Sequence, residues 1–154
     1  MKALPAVPNA ALAALERTTT PDEAKQVVDI ATAAQECARL AGASLTLQNE
    51  WAEVRLRAQR KGGFLLEAEG FGEHGGDRRS SSSVRLEDLG LTKHQSSRWL
   101  RVWWLPEPDF EAYVAEAHTQ AKELTTAGAL KLAKRLAAAD PAERPRLHLV
   151  STDC

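Results

Sequence analysis

The apolar positions between Pro21 and Gly42 recur every three to four residues, which is the period of an amphipathic α-helix. They are Val27, Ile30, Ala31, Ala34, Ala38 and Ala41. Thr20 to Glu23 has the form of a capping box, in which the Thr20 hydroxyl and the Glu23 carboxylate each accept a hydrogen bond from a backbone amide. Gly42 is typical of a helix C-terminus. We therefore predict a helix whose alanine-rich face needs a packing partner.

A second apolar stripe, within residues 44–69, supplies that partner. Its members are Leu47, Trp51, Val54 and Ala58, with charged residues between them. Gly62 and Gly63 predict a break or kink, because each glycine weakens a helix by about 1 kcal/mol relative to alanine. The two stripes together predict an antiparallel helical hairpin over residues 20–69, preceded by an N-terminal tail, residues 1–19.

Residues 70–83 have no hydrophobic periodicity and consist mainly of glycine and serine, with Arg78 and Arg79 among them. This composition predicts a flexible linker between two helical parts. The arginine pair has two interpretations: a basic arm that enters a DNA minor groove, or charge carried by a solvated loop.

Helix signals resume after the linker. Residues 84–89 form a short helix candidate that ends at Gly90, and Thr92 to Gln95 is a second capping box. The helix that this box opens runs to about Trp104, because Pro106 cannot continue it. Two more helices are predicted over about 108–122 and 126–138, followed by a C-terminal tail, residues 140–154. The expected fold is all-α, with a helix-turn-helix domain over residues 84–139.

The helix that begins at Lys93 has two chemically different faces. His94, Ser97, Arg98 and Arg101 share one face by their spacing, and Trp99, Val102 and Trp103 share the other. No acidic residue occurs between Lys93 and Trp104. Arginine, lysine, serine and glutamine are side chains that contact phosphates and base edges, so this pattern is typical of a recognition helix. The predicted DNA-binding residues are Lys93, His94, Gln95, Ser97, Arg98 and Arg101, with Arg78 and Arg79.

Simpler interpretations stand beside this one. Every amphipathic helix has a polar face, so the cationic face could be ordinary surface. The tryptophans could stack on single-stranded bases, although the spacing of Trp99 and Trp103 favours the protein core. We expect Trp104 to be the most exposed of the three.

Composition limits the function classes. The net charge of -1 over 154 residues excludes coating of DNA by bulk charge and leaves room for one local basic face. No apolar run approaches the roughly 20 residues that span a bilayer, and the first residues lack the apolar block of a secretory signal. We expect a soluble, cytoplasmic protein in which Cys37 and Cys154 are free thiols.

No catalytic, metal or cofactor site is predicted. The acidic cluster is Glu107, Asp109, Glu111 and Glu116. No histidine or lysine stands at a matching spacing, so these carboxylates are interpreted as a solvated face rather than acid–base catalysts. The histidines show no metal-ligand spacing, and no nucleotide-binding glycine motif is present. The chain is therefore not expected to be an enzyme.

The segment Glu53–Lys61, the linker, and the segment Leu89–Arg98 together resemble small proteins of phages and integrated mobile elements. The resemblance extends over about residues 21–134 and implies a DNA-related context. The three tryptophans depart from that pattern.

Two functions from different classes follow. The first is a regulatory or architectural DNA-binding protein that docks residues 93–104 on duplex DNA and dimerises through residues 21–66. The alternative is a module that binds a host or phage protein through the tryptophans and the acidic helix. Salt separates them, because DNA binding weakens steeply as salt rises.

Overall fold

A computed structural model describes residues 7–71 and 86–139 of the chain, with the side chain of Ala139 left aside. Within these ranges the fold is all-helical, as the sequence predicts. The helices are α1 (Pro8–Glu16), α2 (Pro21–Leu40), α3 (Leu45–Ala68), α4 (Lys93–Trp104), α5 (Glu107–Thr119) and α6 (Thr126–Ala139), with a 3-10 turn at Leu86–Leu89 ahead of α4.

Helix α3 is the centre of the fold. Its buried residues lie on every side of the helix rather than along one stripe: Trp51, Ala52, Val54, Leu56, Ala58 and Leu66. A helix buried all round needs neighbours on several faces. One core cluster joins α1, α2, α3 and α4, and the other joins α3, α4, α5 and α6. Helices α3 and α4 therefore contribute to both clusters.

The glycine pair does not interrupt α3, which is continuous from Leu45 to Ala68. The predicted break is wrong, and close packing explains the glycines. A Cβ at Gly62 would lie 2.4 Å from Cε3 of Trp99, and a Cβ at Gly63 would lie 2.3 Å from the Trp99 carbonyl oxygen. Only glycine allows α4 to approach α3 this closely.

The local helix signals are mostly confirmed. Thr92 and Gln95 form the reciprocal capping box, with both hydrogen bonds at 3.0 Å. Gly42 adopts a φ of 74° just beyond α2, where a left-handed residue closes the helix. At the start of α2 the box is shifted by one residue: Thr20 accepts from the Glu23 amide, but Glu23 accepts from the amide of Thr19.

Helix α1 lies in the segment predicted as an N-terminal tail. Pro8 is its first residue, and Ala11 and Leu15 are buried in the core. Its C-terminal end is fixed by α3, since Lys61 Nζ donates to the Leu15 carbonyl at 2.8 Å. The short apolar pattern of nine residues gives little periodicity from which to predict this helix.

The parts on either side of the predicted linker share a core, because Trp99 and Leu100 of α4 are packed with Ala24 and Val27 of α2. Most of the linker lies outside the described residues, and the division at residues 70–83 stays a prediction. None of the described helices is both long and apolar enough to span a lipid bilayer.

Candidate nucleic-acid interface

Helix α4 is held to the protein by one face. Trp99, Leu100 and Val102 are buried, and Trp99 is only 2% exposed against Gly62 and Gly63. Ser96 is also buried, at the edge of the same face. The apolar back that the spacing predicts is therefore the face on which α4 packs.

Both ends of α4 are fixed by hydrogen bonds. The capping box of Thr92 and Gln95 satisfies amides at the N-terminus. At the other end, Arg60 Nη1 donates to the carbonyls of Val102 and Leu105 at 2.8 Å each, and to that of Trp103 at 3.3 Å. A cation on α3 thus satisfies C-terminal carbonyls of α4, where positive charge is favoured.

The opposite face of α4 carries four exposed residues, which we call the front face: Lys93, His94, Ser97 and Arg101. Within the described residues, none of these side chains has a hydrogen-bond or ion-pair partner. Twelve residues of helix span about 18 Å. The front face is therefore a rigid, cationic surface with donors free to contact a ligand.

Two of the residues predicted for this surface point elsewhere. Gln95 is half-buried and is engaged in the capping box. Arg98 is half-buried and lines a groove with Arg55 and Gln59 of α3. The predicted contacts Arg78 and Arg79 lie outside the described residues.

The tryptophans belong to the packing of α4 on α3. Trp103 and Trp104 are both half-buried, and their indole Nε1 atoms donate to the two carboxylate oxygens of Glu67 at 2.7 and 3.1 Å. The ring of Phe64, which is 46% exposed, meets Trp103 edge to face at 5.1 Å between centroids. Trp103 and Trp104 are thus both more exposed than Trp99, and the order between these two stays a prediction.

Arg57 and Arg60 of α3 interact with groups inside the protein. Arg57 donates to both carboxylate oxygens of Glu111 at 2.8 Å and also to Glu53. These hydrogen bonds raise the pKa of Arg57 and hold that of Glu111 below its ordinary value. Burial lowers the pKa of Arg60, which lies over the rings of Trp103 and Phe110. The sequence shows these charges but not their distant partners.

The acidic residues of α5 are partly neutralised by this packing. Glu111 is paired with Arg57, and Glu116 accepts from Lys122 at 3.2 Å. Over residues 7–71 and 86–139, no three side chains of His, Cys, Asp or Glu converge so that they could hold a metal ion.

No protein-family model matches this chain, no curated protein is similar to it in sequence, and no solved structure is similar to it in fold. The predicted resemblance to phage and mobile-element proteins stays a prediction. Function has to be sought in the chemistry of the surface, since an all-helical fold is compatible with many activities.

Proposed function

We propose that this protein binds duplex DNA by inserting the front face of α4 into the major groove. The major groove is about 12 Å wide and admits one α-helix. The observation that carries the proposal is the front face itself: two cationic side chains, with His94 and Ser97 between them, are exposed on a helix without acidic residues. Lys93 and Arg101 would contact phosphates or guanine, and His94 and Ser97 would contact base edges.

The segment ahead of α4 supports a helix-turn-helix type of docking. The 3-10 turn Leu86–Leu89 is followed by Gly90, whose φ of 76° turns the chain, and by Leu91, which is buried. Three residues thus separate the turn from α4, which is the connection length of helix-turn-helix units, with a four-residue 3-10 turn in the place of their first helix. In such units the second helix is the one that reads the DNA, and here that helix is α4.

Because both ends of α4 are fixed, its side chains favour specific contacts with DNA over nonspecific electrostatic attraction. The cap at Thr92 and the contacts of Arg60 hold α4 in one position on α3. Side chains on a rigid helix lose less entropy on binding than those on a loop. Bound to DNA in this way, the protein would act as a regulatory or an architectural factor.

The test is fluorescence anisotropy with a labelled random-sequence duplex, at a series of salt concentrations. The double variant Lys93→Ala/Arg101→Ala removes both cations of the front face. If each cation contacts one phosphate, the slope of log affinity against log salt should decrease in magnitude by about 2.

The matched control is Arg17→Ala/Arg39→Ala, which removes the same charge from exposed positions outside α4. It should leave affinity and salt slope close to those of the unmodified protein. Equal losses in both double variants would contradict the proposal, as would no binding by the unmodified protein at low salt. Circular dichroism of each variant checks that the fold is retained.

The alternative, a module that binds another protein, would rest on a different surface. Trp103 and Trp104 are engaged with Glu67, so the exposed apolar group nearby is Phe64. Binding through Phe64 would be insensitive to salt and lost in Phe64→Ala, whereas DNA binding would survive that change.

Dimerisation through residues 21–66 would use the end of the α2–α3 hairpin. Leu40 and Leu47 are exposed there, at 72% and 36%. A second copy would cover these two leucines if the end of the hairpin is the interface. Sedimentation at tens of micromolar protein tests this, and a monomer there would refute it.

A further inference from the structure

A groove of about 490 Å³ lies beside α4, away from the front face, and receives residues from four helices. Polar and charged side chains make up most of its wall. Its lining includes Arg55, Arg98, Thr126 and Ala127, together with the acidic residue Asp29.

The two arginines of the groove have no acidic partner. Within the described residues, no carboxylate lies within ion-pair distance of Arg55 or Arg98. Arg55 Nη1 donates to the neutral amide oxygen of Gln35 at 2.6 Å, and its Nε is buried without any acceptor. A buried guanidinium donor normally has a partner, so the Arg55 guanidinium is incompletely satisfied by the described residues.

The charges around the groove favour an anion. Burial lowers the pKa of Arg55 and the positive charge of Arg98 lowers it further, while Glu123 acts in the opposite direction. Arg55 nevertheless stays protonated at neutral pH, because the guanidinium group of arginine is very weakly acidic. Asp29 is already occupied by Lys25, whose Nζ lies 2.8 Å from Oδ2. An anion between the two guanidinium groups would relieve their mutual repulsion.

We propose that this groove binds a phosphate group, with the guanidinium groups of Arg55 and Arg98 as its main ligands. Arginine is suited to phosphate because its planar donors bind two oxygens at once. The amides of Thr126 and Ala127 open α6 at the same groove and, as first-turn amides, have no acceptor inside the helix. The proposal does not depend on DNA binding by the front face.

The probe is inorganic phosphate, titrated against the full-length protein by calorimetry at constant ionic strength with chloride as the exchanged ion. Arg98→Gln removes one guanidinium from the groove. Because hydrogen bonds between charged groups contribute strongly, we expect phosphate affinity to fall by about tenfold or more. Arg17→Gln, an exposed change of the same charge, should leave it unaltered.

A second measurement guards against a folding defect in Arg98→Gln. The melting temperature of the unmodified protein should rise with phosphate more than with chloride at equal ionic strength, because a ligand of the native state stabilises it. Arg98→Gln and Arg55→Gln should lose this difference while still melting cooperatively. No preference for phosphate over chloride in the unmodified protein would overturn the proposal, as would equal losses in Arg17→Gln.

A DNA arm identifies the source of the phosphate group. If the group belongs to a nucleic-acid backbone, Arg98→Gln weakens duplex binding. Inorganic phosphate then also displaces the duplex more effectively than chloride does at the same ionic strength. If the group belongs to a small molecule, Arg98→Gln loses phosphate and keeps duplex affinity. Both results support the anion site. If neither the unmodified protein nor any variant binds DNA, that result refutes the proposed role of the front face and leaves the phosphate site to be judged by calorimetry.

Discussion

Replacing Gly63 by alanine tests the packing of α4 on α3 most directly. In an open helix this change is stabilising by about 1 kcal/mol, because alanine is the better helix former. Here the new methyl group would lie 2.3 Å from the Trp99 carbonyl oxygen and 2.7 Å from the Cβ of Trp103. These are backbone and near-backbone atoms, so no rotamer change removes the clash.

The magnitude follows from the shift required. Carbon and oxygen in contact lie about 3.3 Å apart, so α4 must retreat from α3 by about 1 Å. Such a gap forfeits up to about half of the dispersion energy between the facing atoms. Overpacking of this kind costs about 3 kcal/mol at the upper end. Subtracting the helix-propensity gain, we expect Gly63→Ala to destabilise the protein by about 2 kcal/mol.

The assay is urea unfolding, followed by circular dichroism and by tryptophan fluorescence. For a chain of this length, 2 kcal/mol corresponds to a fall in melting temperature of about 4–8 °C. Ala33→Gly, at an exposed interior position of α2, calibrates the glycine–alanine difference without a packing effect. A Gly63→Ala protein as stable as the original, or more stable, would refute the close packing described here.

Two further predictions concern polar groups. Asn49→Ala leaves the buried amide of Leu124 without its acceptor at 3.0 Å, so we expect a loss of about 2–3 kcal/mol in urea unfolding, whereas exposed Gln26→Ala should change little. Glu111→Gln should cost up to about 1 kcal/mol at pH 6, and the cost should shrink as the pH is lowered from there. The depressed pKa of Glu111 makes its stabilisation complete above about pH 4.3 and removes it as pH falls through the folded-state value. A stability difference between Glu111→Gln and the unmodified protein that stays constant or grows as pH falls from 6 through the acidic range would contradict this.

The set of residues proposed to contact DNA differs between the sequence and the structure. The spacing groups Arg98 with Arg101 on one face, yet Arg98 enters the groove with Arg55 while Arg101 is exposed. A helix surface turns by about 100° per residue, so residues three apart differ by about 60°. That difference is enough to place one arginine against a neighbouring helix and the other in solvent.

Near-neutral net charge is compatible with one cationic surface because several other cations are held by partners within the protein. Arg57 is paired with Glu53 and Glu111, and Arg39 with Glu36. Lys61 is bound to carbonyl oxygens. Within the described residues the front face is one of several places where cations have no carboxylate partner; the groove residues Arg55 and Arg98, and the exposed Lys131, Lys134 and Arg135 of α6, are others.

The sequence by itself determines what lies within four residues along the chain. The capping box of Thr92 and Gln95, the stop at Gly42 and the apolar back of α4 are all confirmed because each depends on local hydrogen bonds or on helix period. The same local logic is insufficient for Gly63, since a glycine that breaks a helix and one that admits a neighbour look alike in sequence.

Only the tertiary structure decides which charged side chains have partners within the protein and which do not. Arg60 reaches carbonyls more than forty residues away, Glu67 accepts from indoles 36 and 37 residues away, and Asn49 binds the chain near Leu124. Such pairings depend on how helices cross, and crossing is set by the packing of side chains from distant segments. Sequence thus predicts the helix that presents the cations, and only the fold separates the exposed front face from the groove beside it.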